Sequence, residues 1–239
     1  MTMPQIETEP DYGDVVYPES DGKPMADNLT QGRVIRTLVM GFDCLFADQP
    51  DVLVGGDFFW YPVEGDPKTV VAPDVLVVKG TPKIELRSYR QWEHGGVPAL
   101  AVEVLSHSNT WAEMTRKLAF YQRFGTHEYW VYDPLDGAFE VYLRDGDEFR
   151  SVVDPGAGFI SPATGVHVHV EGTELVVTDP NGGHRWLTPT QEMQRASAEA
   201  ERAEQLTLQA NDAARRAAEA AAETATLRAE VARLRDKRP

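Results

Sequence analysis

Residues 99–106 read ALAVEVLS, and residues 110–124 read TWAEMTRKLAFYQRF. The first is an apolar run of strand length whose one charged residue is Glu103. Such a run fits a strand covered on both faces. The second changes period. Trp111, Met114, Leu118, Tyr121 and Phe124 recur at three- and four-residue steps. They form the apolar stripe of a helix, and Gly125 ends it. EYWVYDP (128–134) returns to strand character and stops at Asp-Pro. Strand, helix and strand in succession point to an α/β fold with helices packed on a sheet.

The same reading extends outward. VAPDVLVVKG (71–80) is a β-branched run ended by Gly80, and VLVGGDFFWYP (52–62) is strand-like with a glycine pair that marks a bulge or turn. Before it, Leu29, Val34, Ile35, Leu38, Val39, Phe42 and Leu45/Phe46 keep helical spacing to about Ala47, with Asn28 or Thr30 as the cap. Downstream, FEVYLRD, EFRSVV, GVHVHV and ELVVTD between 138 and 178 alternate and read as an antiparallel elaboration. Residues 1–27 are rich in Asp, Glu, Pro and Gly and read as a loose acidic arm. Three segments follow: the arm at 1–27, an α/β domain at 28–189 and a helical tail at 190–239.

The tail is rich in Ala, Glu, Arg, Gln and Leu. With Ala203 as position a of a heptad, Ala210, Ala217, Thr224 and Val231 follow at a, and Leu206, Ala213, Ala220, Leu227 and Leu234 fall at d. That seam predicts a coiled coil and a homodimer. A lone, charged, alanine-rich helix is the other reading of the same composition.

The formal net charge is -15, but residues 190–239 carry nine basic and nine acidic groups, so the whole excess lies in residues 1–189. That excludes a protein that coats nucleic acid through a broad basic surface. There is no apolar run long enough for a transmembrane helix, and MTMPQIETEPDYGD lacks the basic and apolar regions of a signal peptide. The single cysteine, Cys44, has no internal partner. The cytoplasm is the expected location, with no membrane association.

Glu103 needs a partner, because an ionised carboxylate in an apolar strand is unfavourable alone. A metal ion is one candidate and a buried Arg or Lys another. Asp74 follows Pro73 at the start of the 71–80 run. With Glu103 on an adjacent strand it would make a hard-oxygen site suited to Mg²⁺ or Mn²⁺. Lys117 lies at the shoulder of the helical stripe. There its ammonium either reaches the sheet or stays in solvent with its stem on apolar surface. His167 and His169 flank Val168 on a strand and face one way, an arrangement more common on a surface than at a metal.

PDVLVV, VEVLSHSNT and the K–YQRFGTHEYWVYDP stretch, in this order, resemble the Uma-two restriction endonuclease family of bacteria, within the PD-(D/E)XK nuclease superfamily. GDFFWYPVEGDPKTVVAPDV and SYRQWEHGG fit its members as well, so the likeness covers roughly residues 28–145. The resemblance implies a restriction-endonuclease-like core of helix, three strands, helix and strand, with a divalent-metal phosphodiesterase site. It places Asp74 at the PD position and Glu103 at the (D/E) position, with the carbonyl of Val104 adding a metal ligand. The lysine expected two residues after the glutamate is Leu105 here, and the resemblance passes the basic role to Lys117, with Gln122 assisting. Ser106 would cap the turn or helix, and His107 stands where members commonly have proline. Tyr129, Trp130 and Tyr132 match the family's aromatic strand and read as packing. The implied activity is a Mg²⁺- or Mn²⁺-dependent endonuclease acting on DNA, with a dimer placing one centre for each strand. Two other readings are a non-catalytic nuclease-fold protein that assembles through its tail, and a metal-dependent enzyme acting on a different phosphate ester.

Overall fold

A computed structural model describes residues 15–19 and 26–235. Most of the arm expected at 1–27, namely 1–14 and 20–25, lies outside the described residues. The chain divides into two compact units, Met1–Thr188 and Pro189–Pro239.

In the first unit, helix α1 (Leu29–Leu45) begins where the Asn28 side chain accepts from the Gln31 N–H, so Asn28 and not Thr30 is the cap. The stretch 52–62 forms two strands, not one: β1 (Val52–Gly55) and β2 (Phe59–Tyr61). The break comes at Gly56 and Asp57. Asp57 holds a left-handed φ of 57°. A Cβ on Gly56 would come within 2.0 Å of the Asp74 carbonyl oxygen, so only glycine lets the loop lie against that strand. There follow β3 (Val75–Lys79), β4 (Ser88–Arg90), the single turn α2 (Gln91–His94), β5 (Pro98–Val104), α3 (Trp111–Arg123), β6 (Glu128–Tyr132), β7 (Phe139–Asp145) and β8 (Glu148–Ser151). The last strands are β9 (Phe159–Ile160), β10 (His167–Glu171) and β11 (Glu174–Thr178).

The main sheet has six strands in the order β1-β3-β5-β6-β7-β8. Its pairs are antiparallel except β5 with β6, which run parallel because α3 carries the chain back between them. Strands β9 to β11 make a separate antiparallel sheet, and β2 pairs in parallel with β4. The expected core order of helix, three strands, helix and strand is present as α1, β1, β3, β5, α3 and β6. Strands β2 and β4 and the turn α2, which the sequence reading did not separate, are inserted into it.

Alternation sorts the sheet into two faces. Val75, Val77, Leu100, Val102, Val104 and Trp130 pack against Ile35, Leu38 and Phe42 of α1 and against Val168 and Val177 of the smaller sheet. Leu76, Val78, Ala101 and Tyr129 pack on the other side against Tyr121 and Leu118 of α3, with Trp60 and Tyr89 from the β2–β4 pair. The expected stripe on α3 needs one correction. Trp111 is 87% exposed, and the helix packs through Leu118, Phe120 and Tyr121 toward its other end.

The second unit contains one helix, α4 (Pro189–Arg235), of 47 residues. No helix among the described residues is long and apolar enough to cross a membrane.

Candidate active site

Register places the two carboxylates side by side. Val75 pairs with Val102, so one residue further along this antiparallel ladder Asp74 comes beside Glu103, on the face under α3. The Asp74 Oδ2 accepts a hydrogen bond from the Val104 N–H at 2.7 Å. The carbonyl of Val104 accepts from Gln31 Nε2 at 2.8 Å, which ties α1 to the same residue. Gln31 Oε1 accepts from the Asp27 N–H at 2.8 Å, and Asp27 Oδ2 accepts from the hydroxyls of Ser106, at 2.5 Å, and Ser108. An unbroken polar chain thus runs from Asp74 to the end of the arm.

Glu103 is 2% exposed and both its oxygens are engaged. Lys117 Nζ stands 2.7 Å from Oε2, and the Tyr121 hydroxyl donates to Oε1 at 2.6 Å. Of the partners left open by the sequence, a lysine is therefore in contact. The position of Lys117 at the shoulder of α3 is what lets it reach the sheet.

The charges are unbalanced. Burial, then the charge of Glu103, pushes the Asp74 carboxyl up to about 8, with the Val104 N–H and Lys117 opposing. Burial also raises Glu103 against the pull of Lys117 and Tyr121. Burial draws the Lys117 ammonium down, but the charge and hydrogen bond of Glu103 outweigh it and leave the lysine raised and cationic.

A cleft of about 480 Å³ opens beside this group. Asp74, Lys117, Gln31, Asp57 and Glu113 line it, together with Phe59 and Phe120. Glu103 is not among its walls and meets it through Lys117. Of the other residues named from the sequence, Ser106 lines the cleft and the rest lie elsewhere. Leu105 spends its N–H on the Tyr132 carbonyl. The Gln122 side chain accepts from the Phe149 N–H at 2.9 Å and tethers α3 to β8, away from the carboxylates. Ser106 takes part in the turn before α3, while Thr110 caps the helix itself. His107 and His167 are exposed, and His169 pairs with Glu171 at 3.0 Å.

A family model described as "Uma2: Putative restriction endonuclease" matches residues 20–171, well over half of the chain. This chain belongs to the Uma2 family. Among solved structures it is similar to one described as "a putative nuclease belonging to DUF820" from Anabaena variabilis. The identity is 17% and the TM-score 0.45, over 63% of this chain and 87% of that one. No curated protein matches it.

The donor chemistry of this Uma2 protein fits a divalent cation of the Mg²⁺ or Mn²⁺ class. Every candidate ligand is an oxygen, and burial together with the neighbouring Glu103 raises Asp74, so two carboxyls stand together with Lys117 as the cation acting on both. Among the described residues no three or more His, Cys, Asp or Glu side chains gather to hold an ion by themselves. An ion here would draw the rest of its shell from water, backbone and phosphate. The sequence reading missed Tyr121, Gln31, Asp27 and Asp57. Tyr121 follows Lys117 by four and so shares its side of α3, a signal that was legible. Gln31 was legible as a polar residue inside the α1 pattern. Nothing local marked Asp27 or Asp57.

Proposed function

We propose that this Uma2 protein is a divalent-metal-dependent endonuclease that hydrolyses phosphodiester bonds of DNA. One observation carries the reading: two neighbouring carboxylates, the half-buried Asp74 and the buried Glu103, share a single cation, Lys117, at the wall of an open cleft. Asp74 and Glu103, with the Val104 carbonyl, would hold the metal. Bound Mg²⁺ or Mn²⁺ supplies Lewis acidity toward a phosphate oxygen and lowers the pKa of water.

The chain's own groups do the rest. The backbone is fixed on both sides of Val104, its N–H by Asp74 and its carbonyl by Gln31, so the ligand oxygens keep their spacing. Tyr121 orients the Glu103 carboxylate. Lys117 reaches the cleft and would hold charge on the phosphate or orient the attacking water. With Asp74 up at about 8, its carboxyl is protonated near neutrality, and Asp74 would give up that proton to serve as a ligand. Location in the cytoplasm and dimerisation through α4 belong to the same proposal.

The test is thermal melting with Mg²⁺ or Mn²⁺, for the parent and for Glu103→Gln, followed by DNA cleavage. A parent melting shift that Glu103→Gln loses, with cleavage lost in Asp74→Asn and Lys117→Ala, supports the reading. A parent whose melting neither metal moves overturns it. One observation favours a non-catalytic protein instead: Glu103 is satisfied by Lys117 and Tyr121 without any metal. A flat metal titration is the result that this second reading requires.

A further inference from the structure

Two aromatic rings stand in the cleft wall, and neither serves the carboxylates. Phe59, on β2, is half-buried and is held edge-on by Tyr61 at 6.0 Å between centroids. Phe120, on α3, is half-buried and is held edge-on by Trp60 at 5.4 Å. Each thus packs on an aromatic partner and also lines the cleft. Rings ordered in this way lose little freedom when a flat ligand stacks on them. The same cleft presents Arg116 and the Lys117 that pairs with Glu103, beside the carboxyls of Asp27, Asp57, Asp74 and Glu113.

An aromatic wall beside two cations matches a ligand that carries a flat heteroaromatic ring and a phosphate together. In a duplex the faces of the bases are stacked on one another and closed to a protein ring. Only an unpaired base offers a face. The cleft, at about 480 Å³, has the volume of a small-ligand site, enough for one nucleotide. The charge points the same way. The excess of -15 falls wholly outside the tail, which disfavours binding through many phosphate contacts, whereas stacking needs none.

We infer that the cleft takes an unpaired nucleotide of a nucleic-acid strand, with its base against Phe59 and Phe120 and its phosphate toward Lys117 and Arg116. This rests on the nuclease reading for its phosphate chemistry and narrows the substrate to single strands and unpaired ends. It does not depend on cleavage for its test.

The experiment measures binding by fluorescence anisotropy with full-length protein in Ca²⁺. The probes are a labelled single-stranded DNA, an RNA of the same sequence and the matching blunt duplex. Single strands should bind about tenfold tighter than duplex, the weight of one stacked base. Phe59→Ala should lose about that factor for single strands and leave duplex binding unchanged. The DNA and RNA arms decide which strand supplies the nucleotide. Trp111→Ala, an exposed aromatic outside the cleft wall, is the control that keeps the preference. Phe120→Leu, with its melting temperature recorded, separates loss of stacking from loss of packing.

Equal binding of strand and duplex, or indifference to Phe59→Ala in a folded variant, overturns the inference. So does a change in sedimentation of Phe59→Ala that shows a second copy of the chain on this surface. Cleavage in Mn²⁺ is scored separately. Strand binding that depends on Phe59 without cleavage sinks the nuclease reading and keeps this one. Cleavage of duplex and strand alike, with Phe59 irrelevant, does the reverse.

Discussion

Asp74 and Lys117 carry opposite burdens, and each gives a test. The folded state raises Asp74 from 3.8 to about 8, so it binds that proton more tightly than the unfolded chain does. The resulting stability is complete below about pH 4 and is lost as pH rises through about 8. In the presence of chelator the melting temperature should therefore fall between pH 5 and pH 8.5, and Asp74→Asn should flatten that fall. An equally steep fall in the variant would place the proton elsewhere. Lys117 offsets a carboxylate whose side chain is only 3% exposed, and its own is 18% exposed. Removing one partner of a buried pair costs about 3–5 kcal/mol, and the partial exposure of Lys117 puts Lys117→Ala near the lower end. Chemical denaturation should show that loss, and adding Glu103→Gln to the same chain should restore much of it, because no buried charge is then left alone. A double variant as unstable as the single one would mean that the lysine acts through its stem and not its charge.

The loop between β1 and β2 governs where Asp74 stands. Gly56 lies so close to the Asp74 carbonyl that Gly56→Ala would force a Cβ to 2.0 Å from a backbone oxygen, which has no rotamer by which to yield. The loop or the start of β3 must then shift. The expected result is a stability loss of about 2 kcal/mol or more and a weaker Mn²⁺-induced melting shift than in the parent. An unaltered Mn²⁺ shift would show that the loop does not position the site. This contact also explains what could be read from the sequence. Glu103 stood out because a carboxylate contradicts its apolar strand, and Asp74 because it opens another. Strands β5 and β6 and helices α1 and α3 carry long, regular patterns. The β2–β4 pair does not, since strands of three residues contain too little alternation to read. Trp111 fitted the helical stripe but is exposed, because periodicity shows which side of a helix is apolar and not how much of its length is covered. Asp57 and Asp27 reach the cleft through loops, where no period exists to place them. Glu128 was legible only as part of an aromatic strand. The structure buries it and satisfies it with Trp130 Nε1, Ser161 Oγ and the Ala163 N–H, so it needs no cation.

At the scale of the whole chain, the question is what α4 does with its apolar positions. In one copy, Leu206 is 66% exposed, Leu227 56% and Val231 51%, all on the heptad seam. A second copy would cover them. The alanine-rich middle of the seam contributes little area, so pairing would rest on these larger residues near its ends. The helix does not need the partner to form, since alanine favours it and ion pairs such as Arg216–Asp212 brace it. Dimerisation and helicity should therefore separate. Leu206→Glu with Leu227→Glu puts like charges at two d positions. Analytical ultracentrifugation should show a dimer for the parent and a monomer for the variant, while circular dichroism changes little. Salt gives an independent check. The tail is neutral, and the charge of -15 sits on the part of each copy before it, so two copies of like charge associate against repulsion. Raising ionic strength from about 0.05 M to about 0.5 M shortens the screening length severalfold and should tighten the dimer. A parent that sediments as a monomer at both salts would leave α4 as a lone helix and each cleft to work alone.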